Sequence, residues 1–231
     1  MKKFMFLVLV LGICAMASAD VVRTEVIRDA TGATAEVARM RYTGASIDYD
    51  YPGSWMFIGD HINGANHYSD GITKFDLSVL PALSAGESFV INSVTMEGYF
   101  HENGDWNGTG NTYMALSQYT TDNSSIPITL ADSVDGGASV SYVTTLAFNG
   151  ETQYYINDAA LTAAVAADIA AGNAYTGYVW QAAAPDGTVL VNGAEIPPAN
   201  YPEVSALYMI GFCGWEWGAN LDSPALVIDY T

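Results

Sequence analysis

The chain has 231 residues, half of them hydrophobic, with 25 acidic against seven basic residues and a formal charge of −18. A surface of that sign repels phosphate backbones and anionic headgroups, which excludes nucleic-acid binding and peripheral membrane binding. The length fits one domain that buries roughly 70% of its unfolded surface.

The N-terminal segment MKKFMFLVLVLGICAMASAD has two lysines, an apolar run from Phe4 to Met16 and an Ala17-Ser18-Ala19 exit. The run falls short of the ~20 residues that span a bilayer. The exit has the A-x-A form of a secretory cleavage site. These features predict a signal peptide over 1–19, then a single β-sandwich domain over 20–231, exported to the periplasm, cell surface or medium. Beyond residue 19 the basic residues are Arg23, Arg28, Arg39, Arg41 and Lys74, so the exported chain carries a formal charge of −20. Cys213 is its only cysteine. It can form no internal disulfide, and a buried, inert thiol is expected.

Strands are predicted over 21–28, 36–42, 54–60, 72–76, 89–100, 112–119, 140–148, 152–156, 175–182, 187–191, 204–212 and 224–230. These are β-branched or aromatic runs between Gly, Pro, Asn and Asp turn signals. In GITKFDLSVLP, 71–81, Phe75 is expected to point into the core. Lys74 then points outward, or lays its stem over apolar neighbours with the ammonium at the surface beside a carboxylate. Phe89, Ile91, Val94 and Met96 leave mixed faces, the mark of a half-buried strand. Asn149-Gly150, between VTTLAF and ETQYYI, predicts a tight hairpin, because it supplies the positive φ angles such turns need. INDAALTAAVAADIAAG breaks the β pattern. It is alanine-rich, with Leu161, Val165 and Ile169 four apart, Asp158 to cap it and Gly172 to end it, and predicts a short helix of about 157–171. The expected fold is all-β, a two-sheet jelly-roll-like sandwich with one short helix.

The order of several short motifs resembles the secreted bacterial modules called DNRLRE domains, related to the alginate-binding type of carbohydrate-binding module. Phe75-Asp76-Leu77-Ser78-Val79-Leu80-Pro81 matches a strand ending in a "FDLSSLP"-like segment, with Lys74 in the basic slot before it. INSVTMEGYF at 91–100 matches the strand that follows. IND at 156–158, the helix and TGYVW at 176–180 match a "V-T-D" helix and a Gly-led strand. Pro224 to Thr231 matches the closing "P-x-L-x-V-x-Y-T" strand. The resemblance covers most of the exported chain and implies a β-sandwich that binds polysaccharide. The acidic-Asn-Arg-Leu-Arg-Glu string of the family is absent, and Gly214-Trp215-Glu216 stands in its place.

Two groups of residues are candidates for ligand chemistry. In HENGDWNGTGN, Asn103, Asp105, Asn107 and Asn111 alternate oxygen-bearing side chains around Gly108, the opening of a loop that wraps calcium. The twelfth position of such a loop is Met114, so the closing bidentate Glu is missing, and the stretch also reads as a polar hairpin loop. Trp106 at that loop tip, with Trp215 and Trp217 two apart in GWEWG, could present flat faces for sugar rings. Trp180 lies within a strand and reads as a core residue. His61 and His67 fall in HINGANH and read as loop histidines. No G-x-S-x-G, H-E-x-x-H or Cys–His pattern is present, so no catalytic residue is named and no enzyme is expected. The expected function is a secreted, non-catalytic module for polysaccharide or extracellular matrix. The rivals are a structural or adhesive surface protein without glycan specificity and, further off, a polysaccharide-acting enzyme.

Overall fold

The computed structural model describes residues 21–28, 35–43, 46–50, 55–60, 67–102, 112–121, 128, 140–148, 152–183, 210–213 and 223–231. The alternating and apolar runs form the strands β1 (Arg23–Arg28), β2 (Ala35–Thr43), β3 (Ser46–Asp50), β4 (Trp55–Asp60), β5 (His67–Asp76) and β6 (Ile91–Glu102). Further along come β7 (Thr112–Tyr119), β8 (Val140–Phe148), β9 (Thr152–Ile156), β10 (Tyr175–Ala182), β11 (Ile210–Cys213) and β12 (Ala225–Tyr230). The helix α1 (Ala159–Ala171) stands between β9 and β10.

All pairings are antiparallel, and the strands form a two-sheet sandwich. Sheet A runs β1–β12–β6–β9, with β11 on β6 beyond β12. Sheet B runs β3–β2–β5–β10–β7–β8. β4 joins them, pairing with β11 on one side and touching β5 at Gly59–Ser69 and Asp60–Tyr68. The ends of this path, β1 and β8, do not pair, so the sandwich is not a closed barrel.

The inward face of sheet A is read directly from register. Ile27, Leu226, Met96 and Ile156 form one cross-strand row, and all four are buried. Ile91 and Val94 are three apart, which breaks strict alternation. A bulge restores the phase: Ile91 lies opposite Tyr230 and Ser93 opposite Asp229, leaving Asn92 as the extra residue. Sheet B contributes Phe75, Tyr178, Trp180 and Leu116 to the same core. The sheets meet where Tyr154 of β9 packs edge-on against Trp180 of β10, ring centroids 5.7 Å apart. Trp180 Nε1 donates to Thr73 Oγ1 at 3.4 Å, so the buried indole keeps a polar partner.

Helix α1 forms as its caps predict. Asp158 accepts from the Ala160 amide at 2.7 Å, and Gly172 closes the helix at φ 74°, a conformation glycine adopts without strain. The helix packs on β6, β8 and β10 and so reaches both sheets. Leu161 and Val165 are its buried anchors. Its Thr162 Oγ1 accepts from the Val94 amide at 3.1 Å, and Gln118 Nε2 donates to Asp168 Oδ2 at 2.7 Å and to the Ala164 carbonyl at 3.4 Å, which ties the helix to each sheet.

Three elements depart from the sequence reading. β3, SIDYD, was not predicted, because aspartate disfavours strands taken alone. Pairing changes the balance: Asp48 and Asp50 lie directly opposite Arg41 and Arg39 of β2, and opposite charges across a pair favour strand formation. β5 begins at His67, earlier than the predicted 72. β8 and β9 form as predicted on either side of Asn149-Gly150 but do not make a hairpin: β8 pairs with β7 in sheet B and β9 with β6 in sheet A. Residues 1–20 and the predicted strand at 187–191 lie outside the described residues, as does 204–209 of the strand expected at 204–212. Among the described residues no helix is long and apolar enough to cross a membrane.

Candidate functional site

The outward face of sheet A is open to solvent. By the two-residue alternation of strands, it carries Thr24, Val26 and Arg28 of β1, Ser93, Thr95 and Glu97 of β6, and Tyr155 of β9. Register arranges these in rows: Thr24–Asp229–Ser93, then Val26–Val227–Thr95, then Arg28–Ala225–Glu97–Tyr155. The last row crosses four strands, a width of about 14 Å at ~4.8 Å per step. Two apolar side chains stand out of the face, Tyr155 in that row at 61% and Val26 in the row before it at 50% exposure. Val22 and Val90 are exposed at one end, where Val90 and Thr231 exchange backbone hydrogen bonds of 2.9 and 3.0 Å. An apolar patch rimmed by polar groups is the usual mark of an interaction surface.

Between the apolar positions the face carries an internal polar network. Asp229 accepts from Thr24 Oγ1 at 2.5 Å and from Ser93 Oγ at 3.0 Å. Asn157 Nδ2 donates to Thr95 Oγ1 at 2.9 Å. Arg28 pairs with Glu97 across the intervening strand, and its Nη1 donates to the Ser223 carbonyl at 2.7 Å. The residue between them in register is Ala225, small enough to lie buried beneath the pair. Below this row Tyr154 points inward, and its ring closes over Gly98, where any Cβ would strike the phenol. Burial raises the Tyr154 hydroxyl well above the ordinary tyrosine range, with Arg28 lowering it and Glu97 raising it in smaller measure.

The outward face of sheet B is the reverse case over its central strands β5, β10 and β7, while Tyr142 on the edge strand β8 is 57% exposed. Ile72, Lys74, Ser117, Tyr119, Val179 and Gln181 are all buried. Lys74 is 0% exposed, which corrects the expectation of a surface ammonium. β5 is a central strand, flanked by β2 and β10, and both of its faces are covered. Lys74 Nζ sits 5.1 Å from the centroid of the Tyr175 ring, a cation–π contact. Directly opposite Lys74 stands Gly177, and beyond it Tyr119, whose ring covers the glycine so closely that a Cβ would collide. Gly177 thus leaves room over one strand for the aromatic ring. Asp70, on the same face, accepts from Gln181 Nε2 at 3.1 Å.

A concavity lies at the end of the sandwich. A groove of about 360 Å³ opens between Arg23, Leu83, Glu87, Phe89 and Tyr230. Phe89 and Tyr230 meet edge-on at 5.0 Å and form its apolar floor.

The residues singled out from sequence fall mostly elsewhere. Trp106, Trp215, Trp217, Asn103, Asp105, Asn107 and Asn111 lie outside the described residues, as does His61. His67 opens β5 and His101 lies in β6, and Cys213 pairs in register with Trp55. Trp180 is the core residue expected, fully buried. Among the described residues no three His, Cys, Asp or Glu converge as a metal site. Tyr155 was missed, yet its signal was present. In Gln153-Tyr154-Tyr155-Ile156-Asn157, two adjacent tyrosines of one strand must face opposite ways, and Ile156 marks Tyr154 as the inward one. No protein-family model matches the chain, and no curated protein matches it.

Proposed function

We propose that the chain is a secreted, non-catalytic β-sandwich module that binds polysaccharide through the outward face of sheet A. The observation that supports this reading most is Tyr155, 61% exposed on a flat sheet face among hydroxyl, amide and carboxylate side chains. The C–H face of a sugar ring stacks on such a ring, while its hydroxyls bond to neighbours such as Thr95 and Asn157. The signal-peptide reading of residues 1–19 and the kinship with DNRLRE-type modules belong to the same proposal. The kinship rests on the order of the motifs from Phe75 to Thr231. A screen of immobilised polysaccharides tests the reading. Binding by the purified chain, weakened about tenfold in Tyr155→Ala without change in the thermal midpoint, is expected. Absence of binding to every polysaccharide sinks it.

One observation favours the rival, an adhesive or structural protein without glycan specificity. Val22, Val26 and Val90 give the same face an apolar character that a flat protein surface could also cover. Retention of the chain on cell-wall or matrix protein, undiminished by any competing glycan, would select that reading.

A further inference from the structure

The ligand class follows from the charges of this face, on the premise that the face binds glycan. Its charged side chains among those described are Arg28, Glu97 and Asp229. Each is engaged within the protein. Arg28 spends one amino group on Glu97 and the other on the Ser223 carbonyl at 2.7 Å. Asp229 takes one hydroxyl on each oxygen, from Thr24 at 2.5 Å and from Ser93 at 3.0 Å. Both amino nitrogens of Arg28 and both oxygens of Asp229 are thus engaged, so neither group can fork a charged ligand without giving up a bond within the protein. The other basic residues beyond residue 19 lie elsewhere: Lys74 is fully buried on the opposite sheet, Arg39 and Arg41 belong to β2 of that sheet, and Arg23 lines the groove at the end of the sandwich.

We infer that the outward face of sheet A takes an uncharged glycan, a neutral hexose or pentose polymer, and rejects polyuronates. A polyuronate would approach an exported chain of formal charge −20, and such a field lowers the local concentration of anions. To win a cation it would have to separate Arg28 from Glu97, leaving a half-buried carboxylate without its partner. A neutral sugar meets neither barrier. It needs only stacking on Tyr155, apolar contact with Val26 and Val227, and hydroxyl exchange with Thr24, Thr95, Gln153 and Asn157. The Arg28–Glu97 pair then works as a specificity device: it holds Arg28, the cation of this face among the described side chains, against its own carboxylate and keeps it from ligands.

Calorimetric titration of the full chain tests this, with a soluble β-glucan, a mannan, a polyuronate and a glucosamine polymer as probes. Each is run at low and high salt, with a chelator and with millimolar calcium. The expected result is that a neutral polymer binds, with no measurable dependence on salt, and that the polyuronate fails in every buffer. Tyr155→Ala should weaken the neutral polymer about tenfold. In Glu97→Gln the freed Arg28 should admit the polyuronate in a salt-sensitive way. Asp229→Asn, which adds no available cation, should not. A charged polymer that binds the native chain more tightly than every neutral one, through Tyr155, overturns the inference and leaves the module's glycan binding intact. Neutral binding of undiminished affinity in Tyr155→Ala overturns it as well, since the site is then elsewhere. Failure of all four polymers removes both the inference and the reading beneath it.

Discussion

The outward faces of the two sheets are built from the same kind of strand and reach opposite ends. On sheet A the face is wet. Its strands alternate cleanly, as in Ser93-Val94-Thr95-Met96-Glu97-Gly98, with Val94, Met96 and Gly98 inside and the others partly exposed. On sheet B the outward residues Ile72, Lys74, Val179 and Ser117 are as buried as the inward ones. Strands buried on both faces read as near-continuous apolar runs, and Tyr178-Val179-Trp180 is such a run. The charges follow the solvent. Arg28 and Glu97 pair at a half-exposed surface, while Lys74 is held in the interior against an aromatic ring. One sheet keeps a face available for a partner. The other buries both faces along its central strands β5, β10 and β7.

The contrast is broken most sharply by placing the same charge on both faces. Val179→Asp buries an unpaired carboxylate and is expected to cost about 4 kcal/mol or more, enough to unfold the chain. Val26→Asp should stay within about 0.5 kcal/mol of the native chain. Urea denaturation of the two variants side by side measures this, and equal losses would mean that the faces do not differ.

Lys74→Ala comes next. It removes a buried stem and its contact with Tyr175, and should cost about 3 kcal/mol in the same assay. A neutral result would place Lys74 in water.

Alkaline pH tests the interior between the faces. Burial raises the Tyr154 and Tyr178 hydroxyls above the ordinary tyrosine range, and the hydrogen bond from Thr176 draws Tyr178 back only in part. In the unfolded chain both ionise near about 10. The folded chain therefore holds protons that the unfolded chain releases. The stability they contribute is fully present below about pH 10 and is lost above it, by up to about 1.4 kcal/mol per pH unit for each tyrosine. The denaturation midpoint should be flat in this respect from neutral pH to about 10 and then fall, less steeply in Tyr178→Phe. A slope unchanged in Tyr178→Phe would exclude that residue as a source.

The smallest effect belongs to the ion pair on the wet face. Glu97→Gln should cost under about 1 kcal/mol, and less at high salt, because solvent screens a half-exposed pair. A larger loss that ignores salt would show the pair to be effectively buried.

Much of the fold was legible in the sequence because its signals are local. The caps of α1 are chemistry of Asp158 and Gly172 with their own backbone, and the helix forms where they place it. The turn after Phe75 forms for a similar reason: Asp76 accepts from the Ser78 amide at 2.8 Å and caps a 3-10 turn at Leu77–Val79. β3 was not legible, since its two aspartates gain a reason to be extended only opposite Arg39 and Arg41. The candidate site was less legible than the fold. Tryptophan drew attention first, yet the most exposed aromatic among the described residues of sheet A is Tyr155.

By itself the sequence determined the all-β class, the position of the helix, the inward Phe75 and Trp180, and the acidic composition. These depend on side-chain period, capping and composition, which need no distant partner. Tertiary structure decided which strands pair and which faces stay wet. Asn149-Gly150 looks like a hairpin turn, yet the strands beside it join different sheets. Lys74 looks like a surface residue, yet its strand lies between β2 and β10 with both faces covered. The reason is common to both. A strand's outward side chains are exposed or buried according to what lies across the sheet, and contacts between residues far apart in the chain supply that layer.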